Sequence, residues 1–468
     1  TYTGATTISN GVLIATNANS LGTTDGATTI ADGAVLQISG GINIGDAINL
    51  TGTGEDLAGG IRSTSGNNTL SGLITLGGTS EIASDANTLT LDVSTGAALT
   101  GTNRTIKFDG SGNITVNDPI TTGSGVVNKG GSGTLTLSAA NTYTGATNIT
   151  MGYVAISNAT GLGTTDGATT VASGATLKIS GGITVAEAIT LNGVGRSSSG
   201  AIAFTANDNT YSGAITLGST STIVSTGGAQ TISGAVNGGY GLTITANGNL
   251  IVSGAVGGST DLSSYAVTTT GSASQTFSAN VETTGNQTYT AAGGIVTSGA
   301  RTFDSSSGTV NFASALSGNN NVTVTGNADI DGAITDIAVL SISGTSNVGA
   351  DITTSGTQTY TGAVTLSADV TLTSSNDVIT FSSTINSDGT ARDLTLAPGS
   401  GNIVISNTIG GSADLDVLTI NTTGTASFTA VNAAGVVITQ SGGSSFSGAL
   451  AVTTVTLTDT ADAARVTF

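Results

Sequence analysis

The sequence predicts an all-β chain that folds as a parallel β-solenoid. Short runs of Thr, Val, Ile and Leu end repeatedly at Gly, Asn or Asp, which is the pattern of strands separated by tight turns. The 468 residues include 71 glycines, and only 4% are aromatic. A solenoid needs just a few aliphatic side chains per coil, so this composition suits its thin core. We expect irregular coils of roughly 20 residues.

Individual strands are predicted where apolar residues alternate with polar ones. The segments GTLTLSAA at 133–140 and NVTVTG at 321–326 show this period of two. No stretch has the apolar stripe at 3.6-residue spacing that is typical of a helix. The two prolines, Pro119 and Pro398, are expected in turns, because proline cannot donate a hydrogen bond to a strand ladder.

An internal duplication organises the first half of the chain. Residues 1–82 align without a gap on residues 142–223, and over the first 54 positions roughly three in five are identical. Because the aligned segments are longer than one coil, several coils were copied together. The sequence therefore predicts a duplicated solenoid at 1–226 and a more degenerate one at 227–468, which we expect to form one continuous rod.

A short motif recurs inside this large repeat. It reads Asn or Gln, Thr, an aromatic or aliphatic residue, Ser or Thr, Gly, Ala and then a strand. Clear copies begin at Asn141, Asn209, Gln230 and Gln358. Irregular spacing between the copies predicts an imperfect solenoid.

Charge and residue types exclude several functions. The net charge of −19 opposes binding to nucleic acid, and no apolar run is long enough to insert in a membrane. The chain has neither His nor Cys, which excludes Ser-His-Asp and Cys-His catalysis and the usual zinc sites. Carboxylate chemistry on saccharides is the remaining enzymatic option. It needs acids and a basic residue to converge on one face, and we expect no such face.

The candidate acidic clusters are Glu55-Asp56 and two Asp-x-Asp pairs, Asp329 with Asp331 and Asp414 with Asp416. Strand alternation places both carboxylates of an Asp-x-Asp pair on one face, about 7 Å apart. Such a pair could contact calcium, but it lacks the many oxygen ligands of a dedicated site. We interpret these acids first as solvated surface residues, and we predict no catalytic or cofactor-binding residue.

The motif tyrosines have two interpretations. They could form a ladder on which glycans stack, or they could seal successive corners of the solenoid by packing on one another. Recurrence inside a structural motif favours the second interpretation. The residues concerned are Tyr2, Tyr143, Tyr211, Tyr289 and Tyr360.

The segment GGSGTLTLSAANTYTGATNITMGYVAISNATGLG at 130–163 resembles the autotransporter-associated β-strand repeat, also called the passenger-associated transport repeat. The resemblance rests on the Gly-Thr-Leu-Thr-Leu strand at Gly133, the Asn-Thr-Tyr-Thr-Gly block at Asn141 and Leu162-Gly163. The second half of the pattern recurs at 1–22. This resemblance implies a right-handed parallel β-helix that is exported across the outer membrane of a Gram-negative bacterium and acts as a surface adhesin or stalk.

Three functions follow as alternatives. The first is a non-catalytic structural or adhesive fibre outside the cell, with a neighbouring or host cell surface or glycans as partners. The second is a self-assembling filament or surface-layer subunit, joined through solenoid ends or lateral faces. This alternative rests on Thr1 opening inside a repeat and on 465–468 still having a strand pattern. The third, less favoured, is a polysaccharide-acting enzyme.

Overall fold

A computed structural model describes residues 2–458 and 465–468 of the chain. Thr1, where the predicted repeat begins, lies outside these residues. The fold is an all-β parallel solenoid of about 22 turns, with about 21 residues in each coil and almost no helix. The prediction of fold class is confirmed. The chain divides into two compact units, Thr1–Thr245 and Ala246–Phe468. The predicted boundary near residue 227 and the continuous rod remain predictions.

The first 28 strands, β1 to β28, are in chain order Thr6–Ile8, Val12–Ala15, Thr28–Ile30, Val35–Ser39, Asn43–Ile44, Ile48–Gly52, Ile61–Ser65, Asn68–Leu70, Ile74–Ser84, Thr88–Leu91, Leu99–Thr100, Ile106–Asp109, Asn113–Val116, Ile120–Thr121, Val127–Lys129, Thr134–Leu137, Thr147–Ile149, Gly152–Ile156, Thr169–Val171, Ala175–Ile179, Thr184–Val185, Ile189–Gly193, Ile202–Phe204, Asn209–Tyr211, Ile215–Ser225, Gln230–Ile232, Val236–Asn237 and Gly241–Ala246. Two 3₁₀ turns, Glu55–Leu57 and Arg196–Ser198, precede β7 and β23.

The remaining strands, β29 to β54, are Leu250–Val252, Ser264–Thr269, Gln275–Phe277, Val281–Thr283, Gln287–Ala291, Ile295–Thr297, Arg301–Phe312, Leu316–Ser317, Val322–Ile330, Ile334–Ile337, Leu340–Ile342, Ser346–Val348, Ile352–Thr354, Gln358–Tyr360, Val364–Leu366, Val370–Ser374, Ile379–Phe381, Ile385–Ser387, Leu394–Gly399, Ile403–Ile405, Leu415–Thr422, Thr425–Phe428, Val431–Gln440, Gly443–Phe446, Leu450–Leu457 and Val466–Thr467.

Strands pair in parallel with the strands of the coils before and after them, and residues of one type stack along the ladders. In the first unit, β17 pairs with β19, placing Ile149 beside Val171, and β19 pairs with β22, placing Val171 beside Leu191. All three side chains are buried. The core is therefore a column of aliphatic residues, as the composition predicts.

The second unit contains a larger aromatic cluster. Tyr289 packs against Phe277, Phe303 and Phe312, with ring centroids 5.1–5.6 Å apart. Most of these contacts are edge-to-face, the arrangement that ring quadrupoles favour. This part of the core is therefore filled by aromatic side chains in place of an aliphatic column.

The two copies of the duplicated segment occupy different faces of the first unit. Ile8 in β1 and Ile149 in β17 are equivalent in sequence. From Ile8 the ladder runs through β3 and β6 to Leu76, in the early part of β9. The ladder of β17 instead runs back through β15 and β12 to Ile82, in the later part of β9. The repeat length is therefore not a whole number of coils.

One turn prediction is wrong. Pro398 lies inside β47 (Leu394–Gly399) and not in a turn. The ladder to β49 shifts register between Leu396 and Gly399. This irregularity accommodates the proline, because the residue at a shift need not donate a ladder hydrogen bond.

Candidate functional surfaces

The first residue of the recurring motif is buried and has a structural role inside the solenoid. Asn209 is buried, and its side-chain oxygen accepts hydrogen bonds from the backbone amides of Gly182 and Ile183. Its side-chain nitrogen donates to the carbonyl oxygens of Ala206 and Asn207. Asn68 accepts the same pair of backbone bonds in the first copy. The motif amide of Asn209 therefore links the turn backbone of the preceding coil to the turn before its own strand.

The motif tyrosines are also structural. Tyr143, Tyr211, Tyr289 and Tyr360 are fully buried, so they cannot form a surface ladder for glycans. Their hydroxyl groups have internal partners: Thr147 for Tyr143, the Glu187 carbonyl for Tyr211, and the side-chain oxygen of the motif glutamine for Tyr289 and Tyr360. Tyr2, at the first described residue, is exposed. Packing inside the corner is the interpretation that these contacts support.

A buried carboxyl group recurs at equivalent positions of the two copies, and sequence reasoning missed it. Glu187 accepts a hydrogen bond from Thr169 Oγ1 at 2.6 Å, and its equivalent Asp46 accepts one from Thr28 Oγ1 at 3.0 Å. Burial raises the pKa of Glu187 to about 8, against the small opposing effect of Thr169. Glu187 Oε2 has no hydrogen-bonding partner among the described residues. The conserved Thr and acid spacing in the duplication was the available signal.

Asp329 and Asp331 share one hydrogen-bond donor, Asn311. Asn311 Nδ2 donates to Asp329 Oδ2 at 2.7 Å and to Asp331 Oδ2 at 3.2 Å. From the next coil, Asn347 Nδ2 donates to Asp329 Oδ1 at 2.8 Å. Asp329 is thus one rung of a polar surface ladder, with an amide donor at each carboxylate oxygen.

Asp414 and Asp416 flank the buried Leu415 at the start of β49, and both are exposed. The backbone carbonyl of Asp414 accepts a hydrogen bond from Ser387 Oγ. Within residues 2–458 and 465–468, no group of three or more acidic side chains is placed to hold a metal ion. Calcium contact at either Asp pair stays a prediction.

Acidic and basic side chains do converge at one place, contrary to expectation. Arg62 Nε lies 2.8 Å from Asp85 Oδ2. Lys107 Nζ lies 2.5 Å from Asp109 Oδ2 and 3.3 Å from Glu81 Oε2. Arg62, Glu81, Asp85 and Asp109 line a shallow depression beside the 3₁₀ turn at Glu55–Leu57, and Lys107 contacts two of these acids from outside its lining. This cluster was not recognised in the sequence, because its members come from three different coils. Their spacing, which is close to one coil length, was the available signal.

The two acids that contact Lys107, Glu81 and Asp109, have pKa values shifted in opposite directions. Burial raises the pKa of Glu81, and the Lys107 ammonium only partly offsets this. Burial acts in the same direction on Asp109, but hydrogen bonds from Lys107 and the Gly110 amide outweigh it and lower the pKa of Asp109. The pair therefore holds one carboxyl that is easier to protonate than the other.

The fold defines the class of this chain, a parallel β-solenoid. Residues 1–15 and 127–156 match the family described as the passenger-associated-transport-repeat. The matches cover both places where the sequence resembles that repeat, and with the solenoid fold they make the chain similar to autotransporter passenger repeat proteins. Comparisons with curated proteins and with solved structures found no significant match.

No helix in the described part of the chain has the length and apolar character needed to cross a membrane.

Proposed function

We propose that this chain is a non-catalytic passenger segment that acts outside the bacterial cell as a structural or adhesive fibre. The observation that carries the proposal is that the recurring motif has a structural role. Its amide and tyrosine side chains are buried and form hydrogen bonds between neighbouring coils, so repetition of the motif extends the stack. The passenger-associated-transport-repeat matches support an extracellular or surface location.

Location is tested on intact cells of the bacterium that encodes the chain. Antibodies raised against the purified chain should label unpermeabilised cells, and external protease should remove the label. A cytoplasmic protein serves as the control and should be labelled only after permeabilisation. Labelling of this chain only after permeabilisation would contradict a surface location.

Adhesion is tested with beads that carry the purified chain. Beads with the folded chain should attach to bacterial or host cells more often than beads with heat-unfolded chain. Equal attachment would contradict the adhesive role and leave a structural one.

Electron microscopy of the same preparation tests self-assembly, since regular filaments would favour the alternative of a self-assembling subunit.

The depression lined by Glu81 and Asp109 favours a second candidate, a polysaccharide-acting enzyme. A carboxyl with raised pKa beside one with lowered pKa is the arrangement that acid–base chemistry on glycosidic bonds requires. A glycan panel tests it: turnover that disappears in Glu81→Gln would establish catalysis and overturn the non-catalytic proposal. We expect no turnover, because ion pairs already engage both acids.

A further inference from the structure

Two cationic side chains share one tyrosine ring on the surface of the first unit. Lys178 in β20 places its Nζ 3.7 Å from the centroid of the Tyr153 ring, which belongs to β18 on the preceding coil. Arg196, in the 3₁₀ turn before β23, places its guanidinium carbon 5.5 Å from the same centroid. All three side chains are partly exposed. We call Tyr153, Lys178 and Arg196 the cationic corner.

A third cation lies behind this corner. Lys129 is buried, and its ammonium donates to the carbonyl oxygens of Gly130 and Gly131. Its Nζ is 3.1 Å from the point where a side chain on Gly152, next to Tyr153, would begin. Burial lowers the pKa of Lys129 to about 8; the negative charge of Asp109 opposes this shift, and the positive charge of Arg196 adds to it. Three of the nine basic residues of the chain are therefore concentrated here.

Among the described residues, neither cation of the corner is paired with a carboxylate. The ion pairs of the described residues involve Arg62, Lys107 and Arg392, whereas neither Lys178 nor Arg196 has a carboxylate within 4.0 Å. Adjacent like charges repel one another, and the chain as a whole carries a net charge of −19. A bound anion would remove this repulsion.

The duplication shows that the fold does not require these residues. The first copy has Val12, Gln37 and Glu55 at the positions of Tyr153, Lys178 and Arg196. The two 3₁₀ turns nevertheless share one backbone conformation, with Gly54 at φ 76° and ψ 178° and Gly195 at φ 77° and ψ 176°. One scaffold thus carries an acid in the first copy and a base in the second.

We propose that the cationic corner binds the anionic groups, carboxylate or sulfate, of an acidic polysaccharide. The Arg196 guanidinium can grip such a group with two parallel hydrogen bonds, and Lys178 adds a compact charge beside it. Tyr153 holds both cations in place through its ring. The charges form a single focus and not the extended stripe that a nucleic-acid backbone requires. This inference rests on the proposed function and names a partner for it.

The experiment measures binding of the whole purified chain to immobilised polygalacturonate, dextran sulfate and neutral dextran. We expect binding to at least one anionic polymer at about 0.05 M salt and loss of binding at about 0.5 M salt, where charges are screened. Polygalacturonate binding alone identifies a carboxylate partner, and dextran sulfate binding alone a sulfate partner. Equal binding to neutral dextran, or no binding to either anionic polymer, overturns the proposal.

Variants locate the binding. Lys178→Gln combined with Arg196→Gln should weaken binding at least about 10-fold, since both charge-assisted contacts to the anionic group are lost. Tyr153→Val, which installs the first-copy residue, should weaken it less. The matched control is Arg104→Gln, which removes an exposed cation elsewhere in the unit. An equal loss in Arg104→Gln would show that net charge, and not the corner, governs binding.

Two further measurements distinguish the possible reasons for a negative binding result. Thermal melting must show that each variant is folded, which we expect because the first copy already has Val12 and Gln37 at the positions of Tyr153 and Lys178, and the uncharged Gln at 196 is similar in size to Glu55 of the first copy. A short DNA duplex binding as tightly as the polysaccharides would overturn the choice of partner. If intact cells are labelled externally while the double variant binds polysaccharide normally, the site is wrong and the proposed function stands.

Discussion

Glu187 shows how one side chain can make the stability of the solenoid depend on pH. It lies in the core of the first unit, bonded to Thr169, while Tyr211 donates to its backbone carbonyl. Burial disfavours the charged carboxylate, so the Glu187 carboxyl stays protonated at neutral pH in the folded chain. In the unfolded chain the same carboxyl loses its proton near its ordinary pKa of 4.5. The carboxyl therefore costs stability progressively as the pH rises from about 4.5 to about 8.

We predict that Glu187→Gln flattens part of this pH dependence. The amide keeps the shape of the protonated acid and cannot ionise, so the melting temperature of the variant should exceed that of the wild type increasingly from pH 5 to pH 8. Above about pH 8 the difference should stay constant. Thermal unfolding of both proteins across this range gives the measurement.

Asp46→Asn is the matched variant in the first copy, where burial also raises the carboxyl pKa against the opposing bond from Thr28. It should shift the melting temperature in the same direction. If the melting temperatures of wild type and Glu187→Gln changed in parallel with pH, the Glu187 carboxyl would not ionise within this range.

At the scale of one coil, the motif glycine explains why the coils pack so closely. A side chain on Gly213 would begin 2.0 Å from the carbonyl oxygen of Glu187 on the preceding coil. The same contact recurs at Gly145, Gly234 and Gly362, each facing a carbonyl oxygen within 2.2 Å. The glycine is required by space at these positions, because the backbone of the previous coil fills the place of a side chain.

We predict that Gly213→Ala destabilises the first unit by about 1–3 kcal/mol, the usual cost of overpacking. The matched control is Gly227→Ala, where a side chain would meet nothing within 4 Å. That change should stay within about 0.5 kcal/mol of wild type. Chemical unfolding of the three proteins measures both effects, and equal stability of Gly213→Ala and Gly227→Ala would contradict the packing argument.

At the scale of the whole molecule, the solenoid is a series of neighbouring coils, and each depends on the coils that adjoin it. Thr147 stands directly beside Thr169 in the ladder, so residues 147–168 make one complete coil of the first unit. Removing them joins Ala146 to Thr169 and keeps every later strand on its own face.

We predict that deletion of 147–168 leaves a folded solenoid, whereas deletion of 147–157 does not. The shorter deletion moves each later strand to a different position in the coil, so buried and exposed side chains exchange places. Circular dichroism and thermal unfolding should show cooperative β structure for the first variant and its loss for the second. A folded 147–157 variant would show that the register is weakly specified.

The sequence by itself determined the fold class, the strand and turn chemistry and the two segments that match the passenger-associated-transport-repeat. These are local properties, since alternation, turn residues and motifs are read over a few positions. It also favoured the internal role of the motif tyrosines, because a residue that recurs within a structural motif is more often part of the scaffold than of a binding site.

Only the tertiary structure decided which distant residues share a corner. Arg62 meets Asp85, and Lys178 and Arg196 meet over Tyr153, because each coil brings residues about 21 positions apart into contact. Coil lengths vary, so this register cannot be counted along the chain. The same variation turns the second copy of the repeat onto a new face. Packing of whole coils, and not local preference, sets these positions.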